Sequence, residues 1–504
     1  YGDGVLTNGA APGVTTDAGD ILIQGQVIVF EERIETATQL ADVEIAGAAT
    51  STSTNVPAGT RAQDGVDGGD RVFSTQTINL TRSQWSGTFV PGDVTSGPGT
   101  LFAGAFELFP LAQWGKSFTL PAGENTAGRN EFQWTGVTVM AANDGTVVSI
   151  DADANGDFIG PDDINAVTIN RGETIELIGR NNLRGETTGG LDQGARVFSS
   201  DIVQANIITG EECETYASRW YTLFPDALLG NNYYEPVSGV AGTVMVFYNP
   251  APNPITINME VAAASAFVSA PVVVEAFSTV SQAMPVDSGA RFFTGSNSTF
   301  GAFSIIDQNS AISDWGHAST SQRLMGNVIQ VGFAQGDDPS TDFDYASNGQ
   351  NAAPVWIVGE NLKDTNDTEF EICVDVRGDG GPSTDPFSGV SYDYKFTLAR
   401  LDSARLYDGG RDTPNLVPGH IDADQSGMLA FVCDGSDAIL AAAWGQDPST
   451  AFPALPGLDT GTTVRSVSVD TAFLGDTIFE DINSNGIRDP GEPGIPNVTV
   501  LITP

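Results

Sequence analysis

One pattern of strand-like residues recurs along this chain, and recurrence constrains a fold more than any single motif does, because every copy must bury the same face in the same way. Gly194-Ala-Arg-Val-Phe198, followed by the apolar run Val203 to Thr209, returns as Gly289-Ala-Arg-Phe-Phe293 followed by Phe300 to Asp307. A degenerate third copy runs from Gly427 to Phe431 and then from Ala438 to Trp444. Upstream, Val137 to Ala142 answers to Val244 to Tyr248 and to Val355 to Val358, and Val147 to Ile150 answers to Ile255 to Met259 and to Phe370 to Val376. In Val167 to Leu177 and in Phe396 to Leu406, apolar residues alternate at period two on either side of a polar turn, which is the mark of half-buried strands.

These copies predict an all-β protein made of tandem units, with boundaries near the steps Trp114-Gly115, Leu229-Gly230 and Met325-Gly326. The expected organisation is an N-terminal β-region at 1–100 with a Gly/Ser/Thr-rich segment, then units at 101–215, 216–312 and 313–470, and a further module at 471–504. A strand with one apolar face must cover it, so each unit either closes into a β-sandwich or pairs with its neighbours in a propeller-like ring. Both architectures satisfy the pattern. A chain of 504 residues exceeds what one hydrophobic core holds, in keeping with several units.

Charge narrows the partners. Sixty-four acidic residues against 21 basic ones give a formal net charge of −43, and such a surface repels nucleic acid and anionic membranes. No run of 18 apolar residues is present, so no membrane-spanning helix is expected. The chain opens on Tyr1 without a basic signal segment, which fits a processed, exported protein. Cys373 and Cys433 fall on predicted strands of the same unit, where they either pair or remain two buried thiols. Cys213 stands among Glu211, Glu212 and Glu214, whose field disfavours a thiolate.

The clearest candidate site lies near the end of the sequence. Asp481, Asn483, Asn485, Ile487, Asp489 and Glu492 occupy positions 1, 3, 5, 7, 9 and 12 of a loop with Gly486 at position 6. That is the spacing by which short oxygen-bearing side chains, one backbone carbonyl and a bidentate Glu surround Ca2+. A second loop offers Asp151, Asp153, Asn155, Asp157 and Asp162 around Gly156, with Asp where Glu is usual at position 12. It is predicted in a hairpin between two strands. Asp422, Asp424 and Ser426, and likewise Asp375 and Asp379, are fainter versions that read as ordinary acidic turns.

The flanks of the last loop, Gly475-Asp-Thr-Ile-Phe479 before it and Pro490-Gly-Glu-Pro-Gly-Ile-Pro496 with the strand Val498 to Ile502 after it, resemble the start of the B-type repeat domain of serine-aspartate-repeat (SdrD-like) bacterial surface proteins. About 32 of the 504 residues carry this resemblance. It implies an Ig-like, calcium-binding module of a secreted or surface-displayed protein, continued by further modules. Phe109 to Gly115, Arg219 to Pro225, Ser313-Asp-Trp-Gly316 and Ala442 to Pro448 give the repeat region a resemblance to the N-terminal domain of IgG-Fc-binding protein. What that implies is an extracellular adhesive or scaffolding role.

Catalytic constellations are absent from the sequence. Two histidines, His317 and His420, build neither a three-His zinc site nor a His-x-x-x-His pair, and neither a Gly-x-Ser-x-Gly elbow nor a phosphate-cradling Gly-x-x-x-x-Gly-Lys occurs. The recurring tryptophans read as core rather than as sugar platforms. The expected function is therefore non-enzymatic: a subunit of a calcium-stabilised cell-surface filament, sheath or stalk, or an adhesin ectodomain. A glycan- or host-protein-binding module is the alternative, and a secreted polysaccharide hydrolase, for which the many acids leave paired carboxylates open, is the disfavoured third reading. Self-association through strand edges at Tyr1 to Phe30 and Asn497 to Ile502 is the expected partnership.

Overall fold

The structure is a computed structural model. It describes the strands at 27–32, 40–46, 51–57, 61–64, 71–74 and 78–84, and residues 104–467 apart from 161, 179–189, 211–217, 239–242, 268, 307–314, 333, 335–352, 363–368, 377, 379, 408, 414–424, 426, 446 and 448–460. All of these fall in the compact unit that ends at Val467. The predicted module at 471–504, with its strand Asn497 to Ile502, lies outside the described residues, as do Tyr1 to Gln26 of the predicted N-terminal edge.

The second repeat shows the plan most simply. In chain order its strands are Asn232–Glu235, Val244–Tyr248, Ile255–Val261, Val272–Val274, Thr279–Ala283, Ala290–Thr294, Gly301–Ile306 and Trp315–Ala318. The fourth, third, sixth and first pair in that order into one antiparallel sheet, and the fifth, second, seventh and eighth into the other. Tyr233, Met245, Phe247, Ile257, Phe292 and Phe300 fill the space between them. Val244–Tyr248 and Trp315–Ala318 are buried along their whole length, because both of their faces are covered.

The third repeat repeats this order strand for strand. Tyr394–Ala399, Glu369–Asp375, Leu429–Val432 and Val328–Gln330 form one sheet, and Ala404–Tyr407, Val355–Asn361, Ala438–Gly445 and Gly461–Val464 the other. In the first repeat the same order holds, with one difference: the sixth and seventh strands are a single bent strand, Arg196–Gly210. Its first half pairs with Thr146–Asp151 and Gly115–Thr119, and its second half with Trp134–Ala141 and Arg219–Thr222. The two layers thereby join into one barrel-like seven-stranded sheet. The polar turns within Val167 to Leu177 and Phe396 to Leu406 each carry the chain from one layer to the other.

A fourth copy, not read from the sequence, stands at the N-terminus. Ser51–Pro57, Leu40–Ala46 and Arg71–Ser74 reproduce the fourth, third and sixth strands, while Arg61–Asp64, Val27–Glu32, Ile78–Gln84 and Gly104–Glu107 reproduce the fifth, second, seventh and eighth. Its signature was present in the sequence as Gly69-Asp-Arg-Val-Phe73, beside Gly194-Ala-Arg-Val-Phe198. In two copies the recurring glycine has a backbone reason, since Gly194 and Gly427 take φ of +83° and +85°, a region other residues enter only with strain.

The strand pairing also moves the unit boundaries. Gly104–Glu107, Arg219–Thr222 and Trp315–Ala318 each complete the unit before them, and each is followed by a short 3-10 turn leading to the next unit's first strand. These eighth strands pack side by side around a common centre. Gly104–Glu107 lies against Arg219–Thr222, that strand against Trp315–Ala318, the latter against Gly461–Val464, and Gly461–Val464 back against Gly104–Glu107. Sandwich and ring, posed as alternatives by the sequence, are both present: four two-layered units close into a ring.

Aromatic and ionic contacts seal the joints. Trp220 packs with Phe106 and Ile208 between the N-terminal and first units. Trp315 and Trp356 pack with Val237, Ile306 and Ala443 between the second and third units. The predicted core role of the tryptophans holds for Trp220, Trp315, Trp356 and Trp444, all buried. Beside them Arg400 donates to Glu260 of the second unit and Glu360 of the third, both at 2.7 Å. His317 is buried on the central strand, with Nε2 3.0 Å from Glu235 Oε1, in a packing role.

Candidate metal site

The loop from Asp151 to Asp163 joins the third and fourth strands of the first unit, Thr146–Asp151 and Ile164–Ile169. Its backbone is wound by its own short acidic side chains. Asp151 Oδ1 accepts from the Asn155 N–H at 3.2 Å and Oδ2 from the Gly156 N–H at 3.0 Å. Asn155 Oδ1 accepts from the Asp157 N–H at 2.7 Å, and Asp157 Oδ1 from the Ile159 N–H at 2.9 Å. The last two steps are Asx turns, the local bond that Asp and Asn offer a bending chain, while Asp151 reaches four and five residues ahead. Gly156 takes φ of +91°, the turn that position 6 requires.

Three carboxylates converge: oxygens of Asp151, Asp153 and Asp163 lie within 4.8 Å of one another. Among the described residues this is the one group of three or more potential metal ligands so gathered. The third carboxylate of this group is Asp163, the neighbour of the predicted position-12 ligand Asp162. The reason is register. Ile150 pairs with Ile164, which sets residue 163 opposite residue 151 where the hairpin opens. Asp163 Oδ1 accepts from the Ala152 N–H at 2.8 Å, and its other oxygen from the Gly160 N–H.

Asp162 stays within electrostatic reach, its carboxyl pushed up by burial and by Asp163 and Asp153. Asn155 and Asp157 are exposed, and Asn155 Nδ2 donates to Asp153 Oδ2 at 2.9 Å. Asp192 is a fifth acid that the loop motif did not contain. It stands two residues ahead of the recurring Gly194, and its N–H donates to the Ala152 carbonyl at 2.8 Å. Burial, then Asp153 and Asp162, push its carboxyl up to about 6. Burial also raises Asp151; the Gly156 N–H opposes that rise and Asp153 and Asp163 add to it.

Crowded like charges at a partly dry position, presented as an all-oxygen donor set, suit a hard divalent cation. Asp151, Asp153 and Asp163 are the residues that would hold it, with Asp162 and Asp192 adding negative field.

The same hairpin frame recurs in the third unit. Asp375 Oδ2 accepts from Gly380 N–H, five residues on, at 2.8 Å, as Asp151 does from Gly156. Asp393 Oδ2 accepts from Val376 N–H at 2.9 Å, as Asp163 does from Ala152. Two residues after Asp375, where the first unit has Asp153, the sequence carries Arg377. Cys373 and Cys433 form a disulfide between the third strand and the end of the sixth in this unit.

The loop from Asp481 to Glu492, comprising Asp481, Asn483, Asn485, Ile487, Asp489 and Glu492, lies outside the described residues, as do Asp379, Asp422, Asp424, Ser426, Cys213 and His420. No helix among the described residues is long and apolar enough to cross a membrane. No protein-family model, no curated protein and no solved structure matches this chain.

Proposed function

We propose that this is a non-enzymatic extracellular structural protein, a calcium-stabilised subunit of a cell-surface filament, sheath or stalk, or the ectodomain of an adhesin. The observation that carries the reading is the convergence of Asp151, Asp153 and Asp163 in a hairpin loop. Calcium there ties the ends of two strands together and stabilises the fold by linkage, since it binds only the folded loop. Extracellular modules hold this ion with Kd of roughly 10⁻⁴ to 10⁻³ M, so occupancy calls for an external medium. The Cys373–Cys433 disulfide favours the same setting, because such bonds persist in oxidising compartments. The resemblance of Gly475 to Ile502 to a surface-protein calcium module supports it too.

The test is a thermal melt with millimolar calcium and with excess EDTA, together with light scattering under both conditions. A calcium-dependent rise in melting temperature and calcium-dependent growth in particle size are expected. An unchanged melt would sink the calcium reading, and a strictly monomeric particle would leave the adhesin rather than the filament.

A second reading, a module that binds a glycan or host protein, is favoured by Ile159 and Phe387, apolar loop residues 85% and 68% exposed. A glycan array without hits would remove its commonest form.

A further inference from the structure

We propose that Glu107 is a proton-operated clasp on the ring: with its carboxyl protonated the N-terminal unit is latched to its neighbours, and loss of that proton loosens the seam. The geometry is that of a junction. Glu107 ends the central strand Gly104–Glu107, which closes the ring against Gly461–Val464. Its N–H donates to Thr462 Oγ1 of the third unit at 3.1 Å, and its carbonyl accepts from Thr222 Oγ1 of the first unit at 3.3 Å. Its Oε2 accepts from Thr81 Oγ1 of its own unit at 2.9 Å. One residue therefore bonds to three units, and it is 2% exposed.

The elements packed around it offer little charge. On Ile78–Gln84 the described neighbour is Thr81, a neutral donor. On Arg219–Thr222 the guanidinium of Arg219 is turned to the Ile306 carbonyl in the second unit, and the Tyr221 hydroxyl is buried. Beyond Gly461–Val464 stands Arg465, whose field favours the carboxylate. An arginine keeps its proton at every accessible pH, so Glu107 is the partner that titrates.

Burial outweighs the help of Thr81 and Arg465 and pushes the Glu107 carboxyl up to about 8, from an ordinary value of 4.5. The sign follows from linkage. A group whose folded value lies above its unfolded value contributes stability that is whole below pH 4.5, falls as pH rises, and is gone above about 8. Near neutrality the clasp is still closed by a proton, and mild alkali removes it.

The experiment is hydrogen–deuterium exchange on the full chain from pH 5 to 9, corrected for intrinsic exchange and read in peptides covering Gly104–Glu107 and Gly461–Val464. In the wild type, protection of both strands is expected to fall by about a hundredfold between pH 6 and 9. In Glu107→Gln, an uncharged near-isostere, protection should be flat over that range. A flat wild type, or an equal fall in Glu107→Gln, overturns the proposal. Should that variant not fold, Arg465→Gln decides, because removing the cation must move the wild-type midpoint upward. A midpoint that stays put or drops overturns the proposal as well.

Discussion

Asp163 faces Asp151 across the open end of a hairpin, and the antiparallel pairing of Ile150 with Ile164 puts it there. That relation decides which carboxylates matter.

Asp163→Asn and Asp153→Asn should each weaken calcium binding at this loop by about tenfold, since affinity tracks the number of charged ligands. Asp157→Asn, which alters an exposed side chain, should have a smaller effect. Titration of the variants by calorimetry checks the order. Because the proposed calcium loop from Asp481 to Glu492 would compete for the same ion, each variant is best paired with Asp481→Asn.

Calcium affinity should also depend on pH through Asp192. Without the ion, its carboxyl value of about 6 exceeds the ordinary 3.8, so its contribution to folding is whole below pH 3.8 and lost as pH rises through 6. A bound cation reverses the preference by favouring the carboxylate. Binding should therefore tighten from pH 5 to pH 7.5, and Asp192→Asn should reduce that gain. Dissociation constants measured at the two pH values provide the check.

Reducing the disulfide should destabilise the third unit. Cys373 and Cys433 are 60 residues apart, and closing a loop of that length restricts the unfolded chain by about 4 kcal/mol. Urea denaturation of the wild type and of the Cys373→Ser/Cys433→Ser double variant, followed through the buried Trp356 and Trp444, measures it.

Arg400→Ala should cost about 3 kcal/mol, because it leaves the buried Glu360 carboxylate short of a partner at the joint between the second and third units. Adding Glu360→Gln should recover part of the loss. Chemical denaturation of the single and double variants shows whether the two changes couple.

The repeats were legible because alternation and the recurring glycine survive where sequence identity does not. Gly194, Gly289 and Gly427 each open the sixth strand of a unit, and the paired runs upstream of them take the second and third places. The N-terminal copy escaped although Gly69-Asp-Arg-Val-Phe73 carries the same signature, because its short strands are separated by Gly- and Thr-rich stretches that hide the spacing. Asp163 was obscured by its neighbour: the twelve-residue spacing selects Asp162, and only strand register brings Asp163 opposite Asp151. Asp192 and Glu107 carried no local signal at all. Each acquires its environment from strands distant in sequence, as Glu107 does from Thr462.

The closed set of four units has a consequence for how such a protein varies. An open stack of repeats gains or loses one copy at its end with little disturbance. Here the first and last central strands already face each other, so a fifth unit would find no vacant seat and a missing one would leave two apolar flanks exposed. The copy number is thereby fixed by geometry, and any larger assembly has to be counted in whole rings.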